Sequence, residues 1–198
     1  MKFSHKEKKD LLFAGFMISL AFAILLSGGY NVLISFDDTL IFMFIASFFT
    51  AGIGFLLHEL MHKYIAQENG LFAEFKAFHG MLWLALLFSL FGFIFAAPGA
   101  VFIRGFITRE KNGKISLAGP ISNIILAILF LLSLLLFKNF GLIEIFLIIG
   151  LKINSLLAVF NMIPVTPFDG AKVIIWSKSA YWITTLIAVG LFIISSFF

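Results

Sequence analysis

Long apolar runs, separated by short polar segments, make up most of this chain. Residues 11–35 carry no charge, and similar apolar runs cover residues 40–57, 115–137, 142–162 and 180–198. A helix needs about 20 mainly apolar residues to cross the roughly 30 Å of hydrocarbon in a bilayer. The pattern therefore predicts an all-α membrane protein with five or six spanning helices. The first run is too long for a signal peptide, and no small-residue cleavage site follows it.

The polar segments predict little further structure. Asn69-Gly70 is a turn signal and is expected to end the second helix. Residues 100–114 mix β-forming side chains with basic ones and predict short strands, with a turn at Asn112-Gly113. Gly119-Pro120 is expected to begin the next helix, because proline is tolerated in a first turn.

Composition narrows the class of protein. Of 198 residues, 62% are hydrophobic and only 12% are charged, whereas soluble domains average about half apolar and a quarter charged. This balance excludes an ordinary soluble enzyme, a disordered chain and a nucleic-acid-binding module. The chain has no cysteine, so a metal site would have to use histidine and carboxylate ligands.

The net charge of +4 is best explained by orientation in the membrane. With a cytoplasmic N-terminus, the segments on the inside hold every basic residue except Lys138, which is outside, and Lys152, which lies within a span. Such a bias is what the positive-inside rule requires. We therefore expect a multi-pass protein of the cell membrane with a cytoplasmic N-terminus and an external C-terminus.

One motif within the second apolar run carries chemistry. His58 and His62 are four residues apart, so on a helix both imidazoles lie on one side and can bind one Zn²⁺. Glu59, about 100° further round the helix, is close enough to act as a general base. The alternative is that these three side chains merely pack at a helix end near the lipid headgroups. That alternative has to account for three ionisable groups in an apolar span, where such groups are costly and usually functional.

Two histidines leave a zinc site incomplete, and an acidic residue is a candidate third ligand. Asp169 ends a span, after two prolines and before Gly170, which allows a sharp turn. An aspartate before a glycine is also a common turn signal. From the residues alone, Asp169 is therefore either a metal ligand or part of a plain turn.

Three motifs together resemble the site-2 protease family of intramembrane zinc metalloproteases. The likeness covers about residues 51–173 and consists of His58-Glu59-x-x-His62, Gly119-Pro120-x-x-Asn123 and Asn161-x-x-Pro164-x-x-Pro167-x-Asp169-Gly170, in that order. The chain is similar to small members that lack a PDZ or CBS domain. This implies one integral-membrane protease domain over residues 1–198, with a catalytic core at about 40–175.

The resemblance also assigns roles to individual residues. It implies one zinc ion per chain, bound by His58, His62 and Asp169, with Glu59 as the catalytic base. Asn161 matches the asparagine thought to help polarise the scissile carbonyl. The implied partners are transmembrane helices of substrate proteins and the lipid bilayer itself, and the implied process is regulated intramembrane proteolysis. The oligomeric state is not indicated.

The apolar segment 81–97 is shorter than the five predicted spans and ends at Pro98-Gly99. If it crossed the membrane, every later element would change sides and Asp169 could not reach His58. We therefore predict that it lies in the interface or enters and returns. A sixth span is the alternative that hydropathy alone would favour. The active site is then expected to open towards the cytoplasm.

Other residues near the motifs are candidates for supporting roles. Asn154 and Asn161 are seven apart and share a helix face, so both are candidates to line the active-site cavity. A strand containing Ala100, Val101, Phe102 and Ile103 is a candidate to bind an unwound substrate by β-addition, or it merely caps the fold. Asn123 is expected to hydrogen-bond between helices or to touch the site. His79 is either an interfacial side chain or a fourth ligand.

Two functions remain as alternatives to an active protease. A multi-span zinc or cation transporter would use His58, His62 and Asp169 as its transport site and would not need Glu59 as a base. An inactive relative would bind membrane helices without cutting them.

Overall fold

The computed structural model describes residues 1–31, 39–94, 97–137 and 139–198. Among these residues, five helices are long and apolar enough to cross a membrane. The predicted all-α polytopic membrane fold, with a small strand region, is thereby confirmed. The five candidate spans are His5–Leu26, Thr39–Glu68, Arg109–Leu136, Leu142–Asn161 and Lys178–Ser195.

Eight α-helices and two strands are named here in chain order. The second candidate span consists of two α-helices joined by a π-helical turn at Phe48–Gly52. The elements are α1 (His5–Leu26), α2 (Thr39–Ser47), α3 (Ile53–Glu68), β1 (Phe72–Ala77), α4 (His79–Leu90), β2 (Gly99–Arg104), α5 (Arg109–Leu136), α6 (Leu142–Asn161), α7 (Asp169–Trp176) and α8 (Lys178–Ser195).

The ends of α1 differ from the predicted ones. The Ser4 side chain accepts a hydrogen bond from the Glu7 N–H and begins the helix before the apolar run does. The helix ends at Leu26, because Gly28 and Gly29 have positive φ angles of 95° and 67°. The prediction that one helix continues to Ser35 is therefore wrong, because the helix ends at Leu26. Residues 32–38 lie outside the described part of the chain.

The short helix α4 occupies the segment that was predicted not to cross. It has 12 residues and is about 18 Å long, well short of the roughly 30 Å of a bilayer core. A turn follows at Gly92, where φ is 87°. This length supports five spans rather than six. Residues 95 and 96 lie outside the described ranges, and an interfacial or re-entrant position for α4 stays a prediction.

The boundary between β2 and α5 differs from the predicted one in two respects. The strand ends at Arg104 and α5 begins at Arg109, where the Thr108 hydroxyl accepts from the Lys111 N–H at 3.2 Å. Residues 109–114 are therefore helical, not strand. Pro120 lies inside α5 rather than in its first turn. A threonine followed by an acidic residue in the first turn is a helix-start signal, which the β-forming residues before it obscured.

Two elements were not predicted. β1 pairs with β2 in a two-stranded sheet, and Ala73 and Phe75 alternate as its buried residues. The helix α7 lies between the fourth and fifth candidate spans. It begins at Asp169, and an aspartate in the first turn is favoured by the helix dipole.

The described residues form two compact units. The first comprises Leu57–Ala73 and Ile103–Phe198 together with Met1, and the second comprises Lys2–Leu56 and Glu74–Phe102. In the first unit, α5 packs against α6, α7 and α8. Its apolar core contains Ile124, Ala127 and Leu134 of α5, Leu147, Leu151 and Ala158 of α6, and Ala188 and Leu191 of α8. In the second unit, α1 packs against α2 and α4.

Candidate metal centre

Two histidines of α3 form one side of the site, within the first compact unit. His58 and His62 are one helical turn apart and both are buried. Their Nε2 atoms lie 3.0 Å from each other, and the ring planes are nearly perpendicular, at 86°. The i, i+4 spacing that the sequence shows therefore directs both ring nitrogens at one point.

Asp169 completes the cluster from a distant part of the chain. It is the first residue of α7, which packs against α5. Its Oδ2 atom lies 3.3 Å from Nε2 of His58 and 3.0 Å from Nε2 of His62. Gly170 is needed beside it, because any Cβ there would overlap the Met162 carbonyl. The structure thus brings the three predicted ligands together.

The far side of each imidazole faces an oxygen. His58 Nδ1 lies 2.6 Å from Oδ1 of Asn123, and His62 Nδ1 lies 2.7 Å from the carbonyl oxygen of Ile115. Because oxygens of this kind accept, each Nδ1 carries the proton and donates. Each Nε2 then presents a lone pair to the cluster, which is the tautomer that a metal-binding histidine needs.

When both imidazoles are neutral, three buried acceptors therefore converge with no protein proton between them. Ligand atoms of His58, His62 and Asp169 all lie within 4.8 Å of one another, and all three side chains are buried. Acceptors crowded in this way repel unless a proton or a metal cation lies among them. The ligand-to-ligand distances of 3.0–3.3 Å match the edge of about 3.3 Å expected when tetrahedral zinc has ligands at about 2.0–2.1 Å.

The donor set also has the chemistry of a zinc site. Two imidazoles and one carboxylate are a recurrent catalytic zinc set, and three protein ligands leave one position open. The carboxylate of Asp169 supplies a negative charge that would balance part of the charge of a bound Zn²⁺. The residues present fit zinc.

Glu59 lies beside the ligand cluster but is not one of the three ligands. Its side chain is only 8% exposed. It is next to His58 in the chain, and Asp169 and Lys172 are close enough to act on its charge. A buried carboxylate beside a group of metal ligands can accept and return a proton.

Two features of the site were not predicted. Lys172, one turn along α7, has its Nζ atom 3.5 Å from Oδ1 of Asp169, so the aspartate directs one oxygen at the histidines and the other at a cation. Gly119 of α5 faces the histidines so closely that a Cβ would lie 2.5 Å from Nε2 of both His58 and His62. The Gly-Pro-x-x-Asn motif marks this position in the sequence, but the motif alone suggested only that Gly119-Pro120 begins a helix.

Other predicted residues lie as follows. Asn161, at the end of α6, donates from Nδ2 to its own helix at the Leu157 carbonyl, at 2.9 Å. Asn154 is fully buried within α6. Ala100, Val101, Phe102 and Ile103 all lie in β2. The roles proposed for these residues stay predictions.

His79 and Lys152 have the following surroundings. The His79 ring stacks on Phe13, with the ring centroids 4.9 Å apart, and His79 is not part of the metal-ligand group found among the described residues. Lys152 is exposed on α6.

Comparison with known proteins supports this chemistry. The chain is 39% identical over 191 residues to "Putative zinc metalloprotease MJ0611" of Methanocaldococcus jannaschii, which covers 96% of this chain and 94% of that protein. It is 31% identical over 145 residues to "Putative zinc metalloprotease YwhC" of Bacillus subtilis, covering 63% of this chain and 65% of that protein. No protein-family model and no solved structure matches the chain.

The match to the archaeal protein extends over nearly the whole of both chains, and the site that the structure assembles has the ligands of a zinc centre. The chain therefore belongs to the zinc metalloprotease family of that archaeal protein.

Proposed function

We propose that this protein is an intramembrane zinc protease of the site-2 type, which hydrolyses peptide bonds within transmembrane segments of other proteins. The observation that carries the proposal is the location of the site. His58, Glu59 and His62 lie in the candidate span Thr39–Glu68, and all three are buried. Ionisable groups inside a membrane helix are costly and are kept for function.

His58, His62 and Asp169 would bind the zinc ion. When bound there, zinc supplies Lewis-acid activation of the scissile carbonyl and of the attacking water. Glu59 accepts the proton from that water as it attacks the carbonyl carbon, and then donates the proton to the leaving amine nitrogen. Asn161 would turn its amide from the Leu157 carbonyl to the developing oxyanion and donate a hydrogen bond there.

A transmembrane helix hides its carbonyls, so a substrate must unwind before it is cut. The sheet of β1 and β2 offers a strand edge for this purpose. The second edge of β1 is already occupied, since the Phe75 N–H donates to Glu7 Oε1 at 2.8 Å and the Ala77 N–H donates to Asp10 Oδ2 at 3.2 Å. The outer edge of β2, with Ala100–Ile103, is therefore the edge to which an unwound substrate strand would add.

The proposed orientation follows from the basic residues. A cytoplasmic N-terminus puts the segments that hold Lys63, Lys76, Arg104 and Lys172 on the inside, with the site opening towards the cytoplasm of the cell. Water reaches the site from that side.

The test compares Glu59→Gln with the wild type in proteoliposomes that contain a labelled transmembrane substrate. A protease keeps its zinc in this variant but loses cleavage by roughly a thousandfold or more, because general-base catalysis and its alignment are lost. Glu68→Gln is the matched control, because it is the same substitution at an exposed residue at the end of the same helix.

The alternatives give different results in the same vesicles. A zinc or cation transporter would carry metal across the bilayer and would keep doing so in Glu59→Gln. An inactive relative would bind zinc and substrate but would cut nothing, with wild type and Glu59→Gln indistinguishable. Either result would overturn the proposal.

A further inference from the structure

A line of buried hydrogen bonds connects the His58 imidazole to the backbone of another helix. His58 Nδ1 is 2.6 Å from Asn123 Oδ1, Asn123 Nδ2 donates to Asn154 Oδ1 at 3.1 Å, and Asn154 Nδ2 donates to the Gly150 carbonyl at 2.9 Å. Asn123 and Asn154 are both 0% exposed. The line joins α3, α5 and α6 within one compact unit.

The direction of these hydrogen bonds is set at the Gly150 end. A backbone carbonyl can only accept, so Asn154 must turn its NH₂ group towards Gly150. The Asn154 oxygen is then directed at Asn123 and accepts a hydrogen bond from the Asn123 NH₂ group. This leaves the Asn123 oxygen facing His58. Because each amide has one donating and one accepting end, the Gly150 carbonyl fixes the orientation of both asparagines and so the acceptor that His58 Nδ1 meets.

We infer that Asn154 is a positioning residue for the metal centre, which acts through Asn123 to hold His58 with its proton on Nδ1 and its Nε2 lone pair facing Asp169. The opposite tautomer would place an N–H at the centre, where Oδ2 of Asp169 and Nε2 of His62 lie within 3.3 Å of it. His62 needs no such line, because its Nδ1 faces the Ile115 carbonyl directly.

This inference rests on the proposed function only in taking His58 as a zinc ligand. It gives Asn154 a role different from the substrate contact that its helix face suggested. The side chain is sealed within the helix bundle and hydrogen-bonded to protein groups. A loss of activity in an Asn154 variant would therefore act through zinc binding rather than through substrate binding.

The experiment reads the His58 tautomer in metal-free protein. Protein labelled with ¹⁵N-histidine, in lipid nanodiscs and with His5 and His79 replaced by Gln, leaves His58 and His62 to be assigned in long-range ¹H–¹⁵N spectra. The wild type is expected to show His58 protonated on Nδ1. Zinc affinity is measured in parallel by competition with a chromophoric chelator.

Three variants separate positioning from packing. Asn154→Leu removes both ends of the amide, so His58 should shift towards a mixture of tautomers and zinc affinity should fall by about 10–100-fold. Asn154→Asp, as the neutral acid, still donates to Gly150 and accepts from Asn123, and should restore the tautomer and most of the affinity. Ser155→Ala is the control, because this buried neighbour donates only within its own helix in the bonds seen, to the Leu151 and Lys152 carbonyls.

Two results would overturn the inference. One is a wild-type His58 protonated on Nε2 and not on Nδ1 in the metal-free protein, a measurement that needs no variant to fold. The other is an equal effect of all three variants on zinc affinity with an unchanged tautomer, which would indicate packing alone. Neither readout involves cleavage, so a protein that binds zinc in this way but cuts no substrate would refute the proposed function and leave this inference standing.

Discussion

The Nε2 atoms of His58 and His62 lie 3.0 Å apart, and the oxygens facing their Nδ1 atoms leave each neutral imidazole with an Nε2 lone pair directed at the other. Two lone pairs at this separation, with the Asp169 carboxylate beside them, constitute an arrangement that a polypeptide does not maintain for packing alone. A metal cation bound by the three side chains would explain this arrangement. The four-residue spacing of the two histidines directs their lone pairs at the Asp169 carboxylate, and the cation would neutralise its negative charge.

Metal removal should therefore destabilise the folded protein. Chelation leaves three buried acceptors uncompensated, and a ligand present at about 100 times its Kd contributes about 2.7 kcal/mol to stability. We expect a chelator to lower the Tm of the wild type by several degrees, measured by intrinsic fluorescence in detergent, and added Zn²⁺ to restore it. Asp169→Asn should show a much smaller response. An unchanged Tm, with zinc removed from the wild type, would contradict the assignment of the three ligands.

Gly119 should be essential for metal binding although it supplies no ligand. A Cβ at this position would lie 2.5 Å from the Nε2 atoms of both histidines, so Gly119→Ala should displace the imidazoles and abolish stoichiometric zinc, as measured by elemental analysis. Gly190→Ala is the matched control, because no atom would lie within 4 Å of its new Cβ. That variant should retain zinc. A Gly119→Ala protein with full zinc content would show that α5 does not constrain the site.

The proposed orientation can be measured directly, because the natural chain has no cysteine. A single cysteine introduced as Lys6→Cys should react with a membrane-impermeant maleimide only from the cytoplasmic side. One introduced as Asn139→Cys, between the third and fourth candidate spans, should react only from the outside. The reverse pattern, or labelling of both from one side, would contradict the five-span arrangement with a cytoplasmic N-terminus.

A proline scan tests the strand edge of β2. Backbone N–H groups alternate between the two edges of a strand, so successive substitutions of Ala100, Val101, Phe102 and Ile103 should not be equivalent. Proline at positions whose N–H faces outwards should keep the fold and zinc but impair cleavage, whereas proline at the others should disrupt pairing with β1. Cleavage and thermal stability are measured for each variant. Equal cleavage by all folded variants would exclude β-addition at this edge.

The fold was largely predictable from hydropathy, because the requirement to bury a backbone in lipid leaves helices as the simple solution. Five spans and the short segment at α4 followed from run length and from the need for Asp169 to reach His58. The helical start of α5 and the strand β1 did not follow. Their signals are short-range, a Thr108 cap in one case and a six-residue alternation in the other, and stronger β-forming or apolar neighbours obscured them.

The candidate site divides in the same way. His58, Glu59 and His62 share one helix, so their spacing alone indicated their common direction. Asp169 required a resemblance to a family, since nothing local distinguishes a ligand from a turn residue before a glycine. The place of Lys172 in the site and the contact of Gly119 with the histidines depend on how α5 and α7 pack. Packing between helices that are distant in the chain cannot be predicted from the sequence of one segment.

The most direct test of the central claim is the position of the cut. Purified zinc-loaded protein in proteoliposomes is incubated with a single-span substrate, and both product termini are identified by mass spectrometry. We predict a single main peptide bond within the substrate's apolar segment, cut by the wild type and by Glu68→Gln but not by Glu59→Gln. Cuts confined to the polar flanks of the substrate, or cuts unaffected by Glu59→Gln, would contradict an intramembrane zinc protease.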